Sequence, residues 1–234
     1  MKKVIYSLML LCFTLGFTAC EDETSQDTSK ITYYATLDLQ GETTLFWELG
    51  KEYVEPGYYA ELQGEDVTDQ VVVKGEVDVN TPGIYPLTYV ITNVDGFSVT
   101  KSRTVMVADI TPSPIASGFW TASSDSYRDY NGQTSYGSEF QVIILQTAPG
   151  KFYISDFLGG WYDQRAGYGS AYAMEGHFQL NADNTITPID SYVAGWGDSM
   201  EEMVGGKYDP ATGEISWMID YSESHLKFYV TLKL

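Results

Sequence analysis

Cysteine is almost absent: the chain has two, Cys12 and Cys20, both within the first 20 residues. A disulfide framework needs cysteines spread through the folded part, so that class is excluded, as is a thiol nucleophile beyond the leader. Basic residues are scarce, with 13 Lys and Arg against 32 Asp and Glu and a formal net charge of −19. Such a chain repels nucleic acid, whose recognition needs a basic footprint. It also offers no basic patch to an anionic surface. Only two histidines occur, His177 and His225, on separate predicted strands, and HExxH, CxxC and GxSxG are all missing. Metalloprotease, dithiol and hydrolase chemistry thus lack their motifs. Acidic pairs such as Glu201-Glu202 are what any acidic chain supplies, and a solvated turn explains them equally well. The expectation is a protein that is not an enzyme.

What is present begins with MKKVIYSLMLLCFTLGFTAC. Lys2 and Lys3 precede an apolar run over residues 4–15. That run is shorter than the roughly 20 residues of a membrane-spanning helix and has the form of a secretory signal, residues 1–19. Ala19-Cys20 resembles the lipobox of bacterial lipoproteins, although Phe17 stands where most carry Leu. The resemblance implies lipidation of Cys20, with membrane contact through the lipid alone. Each buried methylene contributes about 0.8 kcal/mol to such an anchor. Residues 20–30, with EDETSQDTSK after the cysteine, are polar and acidic and read as a flexible tether. They resemble the export signal of Bacteroidota-type surface lipoproteins, which implies the outer face of the outer membrane.

The remainder is 15% aromatic by whole-chain composition, too rich in rings for disorder. Short alternating apolar–polar runs bounded by Gly, Pro, Asn and Asp recur, and no long segment keeps a helical period. This reads as all-β. A seam falls at DITPSPIASG, where prolines, serines and glycine cluster. It divides the chain into residues 31–109, a linker at 110–116, and residues 117–234.

In the first part, ITYYATLDL, TLFWEL, YYAEL, VVVKGEV, IYPLTYVIT and SVTKSRTVMV read as strands of a two-sheet sandwich. Tyr85, Leu87, Tyr89 and Ile91 share one face of their strand, while Pro86 predicts an edge position or a bulge. Tyr53-Val54-Glu55-Pro56-Gly57, Asp66-Val67-Thr68, Val71-Val72-Val73, Gly75, Pro82-Gly83-Ile84-Tyr85 and Arg103-Thr104-Val105 occur in order. Together they resemble a bacterial immunoglobulin-like domain. That resemblance implies a spacer or platform for another domain, without disulfides. Glu65, Asp66 and Asp69 offer oxygen ligands for Ca²⁺, but a full site takes about six to eight; a solvated turn is the other reading.

The second part carries eight candidate strands: SGFWTASS, EFQVIILQ, KFYISDF, YAMEGHFQL, TITPIDSYV, MVGGKY, EISWMIDY and HLKFYVTLKL. TAPG and DPATG supply hairpin turns. About eight antiparallel strands, each with one apolar face, predict an up-and-down barrel or a strongly curved sandwich. SYVAGWGDS and KYDPATGEISW resemble C-terminal domains of uncharacterised surface lipoproteins encoded beside glycan-import machinery.

Between two of these strands lies FLGGWYDQRAGYGSAY. Trp161 and Tyr162 are adjacent and cannot both face inward from a regular strand. Tyr168 sits between Gly167 and Gly169, and Trp196 between Gly195 and Gly197. A large ring left in water forgoes roughly 1.5–3 kcal/mol of burial, so rings on glycine loops need another reason. A pyranose lays its C–H face on an aromatic ring while polar groups bond its hydroxyls. Asp163, Gln164 and Arg165 beside the first pair, and Asp198 beside Trp196, suit that rim. The alternative is that the rings plug the open end of the barrel. Partners consistent with this reading are a neutral glycan or, through an exposed aromatic patch, an outer-membrane transporter or neighbouring lipoprotein.

Overall fold

A computed structural model describes residues 31–221 and 226–234. The leader, Cys20, the acidic tether and His225 lie outside the described residues. Two β-units follow one another along the chain.

The first is a sandwich. One sheet joins β1 (Thr36–Leu39), β3 (Tyr58–Leu62) and β4 (Glu65–Asp66). The other runs β2 (Thr44–Glu48), β7 (Ser98–Ala108), β6 (Gly83–Thr92), β5 (Val72–Lys74), with β2 and β7 parallel. Alternation buries Leu87, Tyr89 and Ile91 of β6 against Leu37 and Ala60 of the facing sheet. Pro86 is neither on an edge strand nor at a bulge. It pairs with Thr104 on one side, and β5 has already ended at Lys74↔Thr88 on the other. The missing N–H therefore disturbs no rung, because a neighbour three residues long stops short of it. Gly75 turns β5 away with a positive φ of 98°, and a Cβ there would meet the Pro86 carbonyl at 2.3 Å.

A polar hub forms around one fully buried arginine. Arg103 is fully buried and pairs with Glu55, while its Nε donates to the Glu42 carbonyl at 3.2 Å. Tyr53 and Tyr89 donate their hydroxyls to Glu55 at 2.7 and 2.6 Å. The Tyr-Val-Glu-Pro-Gly and Arg-Thr-Val motifs thus meet in space as an ion pair whose remaining valences are met. The Asp66 carboxylate accepts from Thr68 N at 2.9 Å, which makes this residue the first of a closed turn, the alternative to a calcium ligand. Among the described residues no three His, Cys, Asp or Glu side chains gather as a metal site.

The second unit is one sheet of ten strands: β8 (Gly118–Ala122), β9 (Tyr127–Asp129), β10 (Gln133–Ser135), β11 (Phe140–Ala148), β12 (Lys151–Ile154), β13 (Met174–Leu180), β14 (Ile186–Val193), β15 (Glu202–Asp209), β16 (Glu214–Tyr221) and β17 (Leu226–Lys233). The short β9–β10 hairpin has no counterpart among the sequence candidates. Strands β15 to β17, then β8 and β11 to β14, follow one another around a wrapped sheet. The wrap does not close, which corrects the barrel alternative. β14 and β15 pack side by side but form no ladder; the bridge Thr185↔Lys207 falls just before β14, beside Tyr208 N donating to the Asn184 carbonyl at 2.9 Å. A register shift between Val204 and Lys207, with Gly205 at φ 65°, bends β15 just past that contact, as a bulge does. Inside lie Trp120, Phe152, Phe178, Trp217 and Phe228, all buried. Ring burial at roughly 1.5–3 kcal/mol each supplies this core without any cross-link.

The segment between the units is packed rather than loose. Asp109 N donates to the Gln146 carbonyl at 2.8 Å, and Gln146 Nε2 donates to the Thr111 carbonyl at 2.9 Å. Met106 and Ala108 of β7 pack on Leu145 of β11, and Ile115 enters the core of the second unit. Gln146 itself is buried. At the opposite end of β6 and β7, Asn93 donates to the Tyr33 carbonyl at 2.7 Å and Phe97 contacts Tyr34. The chain therefore enters the sandwich at one end and leaves it at the other.

Candidate functional site

The loops after β12 and β14 lie at the end of the second sheet opposite Gln146, as the β11–β12 and β13–β14 ladders require. Asp156 organises the first loop. It is buried, and its carboxylate accepts from Leu158 N and Gly160 N at 2.8 Å and from Met174 N at 3.0 Å. Burial pushes this carboxyl up to about 6, against the pull of those three donors. Gly159 and Gly160 follow with φ of 59° and 83°. A Cβ at Gly159 would strike Val230 at 2.9 Å, and one at Gly160 would strike Phe140 at 2.6 Å. Only glycine lets the chain press this closely into the mouth of the wrapped sheet.

The next residue, Trp161, is only 3% exposed. Its ring lies 5.0 Å from Tyr136 and 5.9 Å from Phe228, with Arg165 and Arg128 over it at 4.1 and 4.8 Å. It plugs the end of the core, which corrects its assignment as a glycan-facing ring. Two of its polar neighbours are also occupied by their own chain. Gln164 donates to the Gln141 carbonyl at 2.7 Å and accepts from Gln141 N at 3.2 Å, an imitation of a ladder rung. Arg165 Nε donates to the Tyr136 carbonyl at 3.0 Å. Asp163 lines a separate cleft of about 290 Å³, with Phe119, Tyr153, Ser155 and Glu175, rather than the hollow of Tyr168, Tyr172 and Trp196.

The remaining candidates converge. A single π-helical turn over Trp161–Arg165 and a 3₁₀ turn over Ser170–Tyr172 bring Tyr162, Tyr168 and Tyr172 to one side. Gly195 N donates to the Ala171 carbonyl at 2.6 Å and draws the second loop onto the first. Trp196 then stands 4.9 Å from Tyr172 and 4.7 Å from Tyr162, both edge to face. Tyr168 and Trp196 are 57% and 42% exposed, so a large part of each faces water. Tyr162 is half-buried beneath them, and burial holds its hydroxyl above its ordinary range. Tyr168, Tyr172 and Trp196 line an open hollow of about 330 Å³. Asp198 accepts from the Tyr221 hydroxyl at 2.6 Å, and burial followed by that carboxylate pushes Tyr221 upward. Tyr172 was not among the sequence candidates. Its signal was the same glycine–aromatic spacing, in YGSAY, that marked Tyr168.

Known proteins bear on both units. Residues 37–107 match the family of bacterial surface protein Ig-like domains, and residues 109–234 match a family described as a C-terminal domain. The crystal structure of lipoprotein BT2262 from Bacteroides thetaiotaomicron is 53% identical, covering 86% of this chain and all of its own, with a TM-score of 0.74. Two structures of Clostridium perfringens ZmpB fragments also overlap. One, CBM51-2 with GlcNAc and INT domains, is 13% identical over 51% of this chain and 31% of its own, at a TM-score of 0.28. The other, the M60 catalytic domain with CBM51-1 and CBM51-2, is 15% identical over 53% and 15%, at 0.30. Both likenesses are too slight to bear on function. No curated protein matches the chain.

Proposed function

Because the chain belongs to the family of the Bacteroides thetaiotaomicron lipoprotein BT2262, we propose that it is a cell-surface lipoprotein that captures glycan. Cys20 would carry the lipid and hold it in the outer membrane. The packed joint between the two units would then present the far end of the second sheet as a fixed head. The observation that carries the reading is the hollow between Tyr168, Tyr172 and Trp196. The fold forgoes roughly 1.5–3 kcal/mol for each large ring it leaves in water, and Tyr168 and Trp196 are both exposed. Asp198 supplies a carboxylate on the same loop as Trp196, and among the described residues no basic side chain lines the hollow. That favours a neutral sugar over a sulfated one. The reading has no catalytic step.

Affinity electrophoresis against neutral polysaccharides tests it. The intact chain is expected to be retarded, and Trp196→Ala is expected to lose at least tenfold in affinity with Tm nearly unchanged. Retardation that survives Trp196→Ala would refute the site, and tight binding confined to sulfated glycans would refute the neutral class.

One observation favours a second reading, docking on an outer-membrane transporter or neighbouring lipoprotein. Val204, Met218, Tyr229 and Tyr127 are register partners across β15, β16, β17 and β9. They form an outer-face row beside a hollow of about 530 Å³. Tyr127 and Tyr229 stack at 4.4 Å. Apolar rows of this kind mark protein contacts as well as ligand sites. Co-purification of a membrane partner, lost on Tyr229→Asp but not on Trp196→Ala, is the outcome this second reading expects.

A further inference from the structure

We infer that the end of the first unit where the chain enters is a membrane-facing foot, seated on the lipid surface that holds the Cys20 anchor. The inference rests on the lipoprotein reading above and adds how the protein stands on its membrane. Ile31, Tyr33, Tyr34, Val94 and Phe97 gather at this end and are all exposed, Val94 to 96%. They come from two separate stretches that one buried residue clasps together. Asn93 donates from Nδ2 to the Tyr33 carbonyl at 2.7 Å, and its Oδ1 accepts from Asp95 N and Phe97 N at 3.1 and 2.8 Å. Tyr34 then lies 5.3 Å from Phe97, and Ile31, Tyr33 and Val94 border one hollow of about 400 Å³. The turn itself does not call for Val94. Asn93 and Gly96, the latter at φ 86°, already close it, and a β-branched side chain at its tip gains nothing from the fold. Single exposed apolar residues are ordinary, but a contiguous group marks a contact.

The occupant follows from the course of the chain. Ile31 lies 11 residues after Cys20, a span of at most about 40 Å even when fully extended. With the lipid in the bilayer, the patch cannot leave the neighbourhood of the membrane, and a short tether sets an effective concentration in the mM range. A contact too weak to recruit a free protein is then enough to orient an anchored one. Among the described residues no Lys or Arg borders the hollow, whose one charged side chain is Asp95. The attraction is therefore apolar, from Val94, Ile31 and rings of a kind that collects at lipid–water boundaries. It asks for no anionic lipid. From this foot β6 runs ten residues to Gly83, beside the joint with the second unit. At strand rise that is about 33 Å, so a seated foot lifts the second unit clear of the lipid and turns its ring-bearing loops outward.

Fluorescence quenching on the intact, lipidated protein in phosphatidylcholine vesicles tests this. No cysteine follows residue 20, so Val94→Cys and, at the other end of β6, Asn80→Cys each provide one site for the same fluorophore. With spin-labelled lipid in the vesicles, quenching at position 94 is expected to exceed that at position 80 by at least about threefold, equally at low and high salt. Adding Tyr34→Ser and Phe97→Ser is expected to cut that excess by at least about half, while the protein still floats with the vesicles. Equal quenching at the two positions in floating protein would overturn the foot and leave the lipid anchor standing. Cross-linking of two copies through position 94, without quenching, would also overturn it and give the patch to a second copy of the chain. Protein that does not float would remove both the anchor and the foot.

Discussion

Arg165 lies 4.1 Å above the centroid of the Trp161 ring, and Trp161 is shut from water beneath it. Trp196 has no such cover. Two tryptophans in glycine-rich loops thus have opposite roles. Trp161→Ala is expected to cost about 3–5 kcal/mol of stability, the range for emptying a buried aromatic site. Trp196→Ala should cost under about 1 kcal/mol, because a half-exposed ring leaves no closed cavity. Urea unfolding of both variants measures the difference. Equal losses would mean that Trp196 is also a core residue and would withdraw the ligand site.

The pairing of Glu55 with the fully buried Arg103 leads to a second prediction. Glu55→Ala leaves the guanidinium charged in a place water cannot reach, at a cost of roughly 3–5 kcal/mol, whereas the Glu55 side chain is 29% exposed and keeps part of its hydration. Glu55→Ala is expected to lower stability by that amount, and Arg103→Ala to lower it through lost packing and the unpaired carboxylate. The double variant should cost clearly less than their sum. A double-mutant cycle by chemical denaturation reads the coupling. Additive losses would mean that the two side chains act independently.

Asp156 makes stability depend on pH in an unusual direction for a carboxylate. Its folded value, raised to about 6, exceeds the ordinary 3.8, so between these values the folded state binds more proton than the unfolded. Its contribution is complete below about 4 and is lost as pH rises through about 6, a full swing of about 3 kcal/mol. Asp66, Asp78 and Asp183 run the other way. Threonine and backbone hydrogen bonds hold them low, so their contribution fades below the ordinary carboxylate range. The melting temperature of the intact chain should therefore peak on the acid side of neutrality, near pH 4–5. Asp156→Asn should flatten the limb around pH 6. A scan of Tm from pH 3.5 to 8.5 decides, and an unchanged limb in the variant would assign the dependence to other groups.

Much of this was legible without coordinates. Alternation gives EISWMIDY and HLKFYVTLKL one apolar face each, and Ile215, Trp217, Ile219, Phe228 and Val230 on those faces are buried, because period-two patterning is a local property of a strand. The ordered motifs from Tyr53 to Arg103 identified the Ig-like unit. Glycine spacing found the loops that carry the rings. Three things were hidden: the inward turn of Trp161, the use of Gln164 and Arg165 as clamps, and the place of Tyr172 in the cluster. Each depends on a contact with a distant stretch, respectively Tyr136 and Phe228, Gln141 and Tyr136, and Gly195.

By itself, then, the sequence determined that the chain is all-β, divided in two, acidic and without cysteine after residue 20, because composition and alternation act over a few neighbouring residues. Only the tertiary structure decided which rings face water. A glycine loop has no period of its own. Its side chains take whichever direction the buried Asp156 carboxylate and the neighbouring loop leave open.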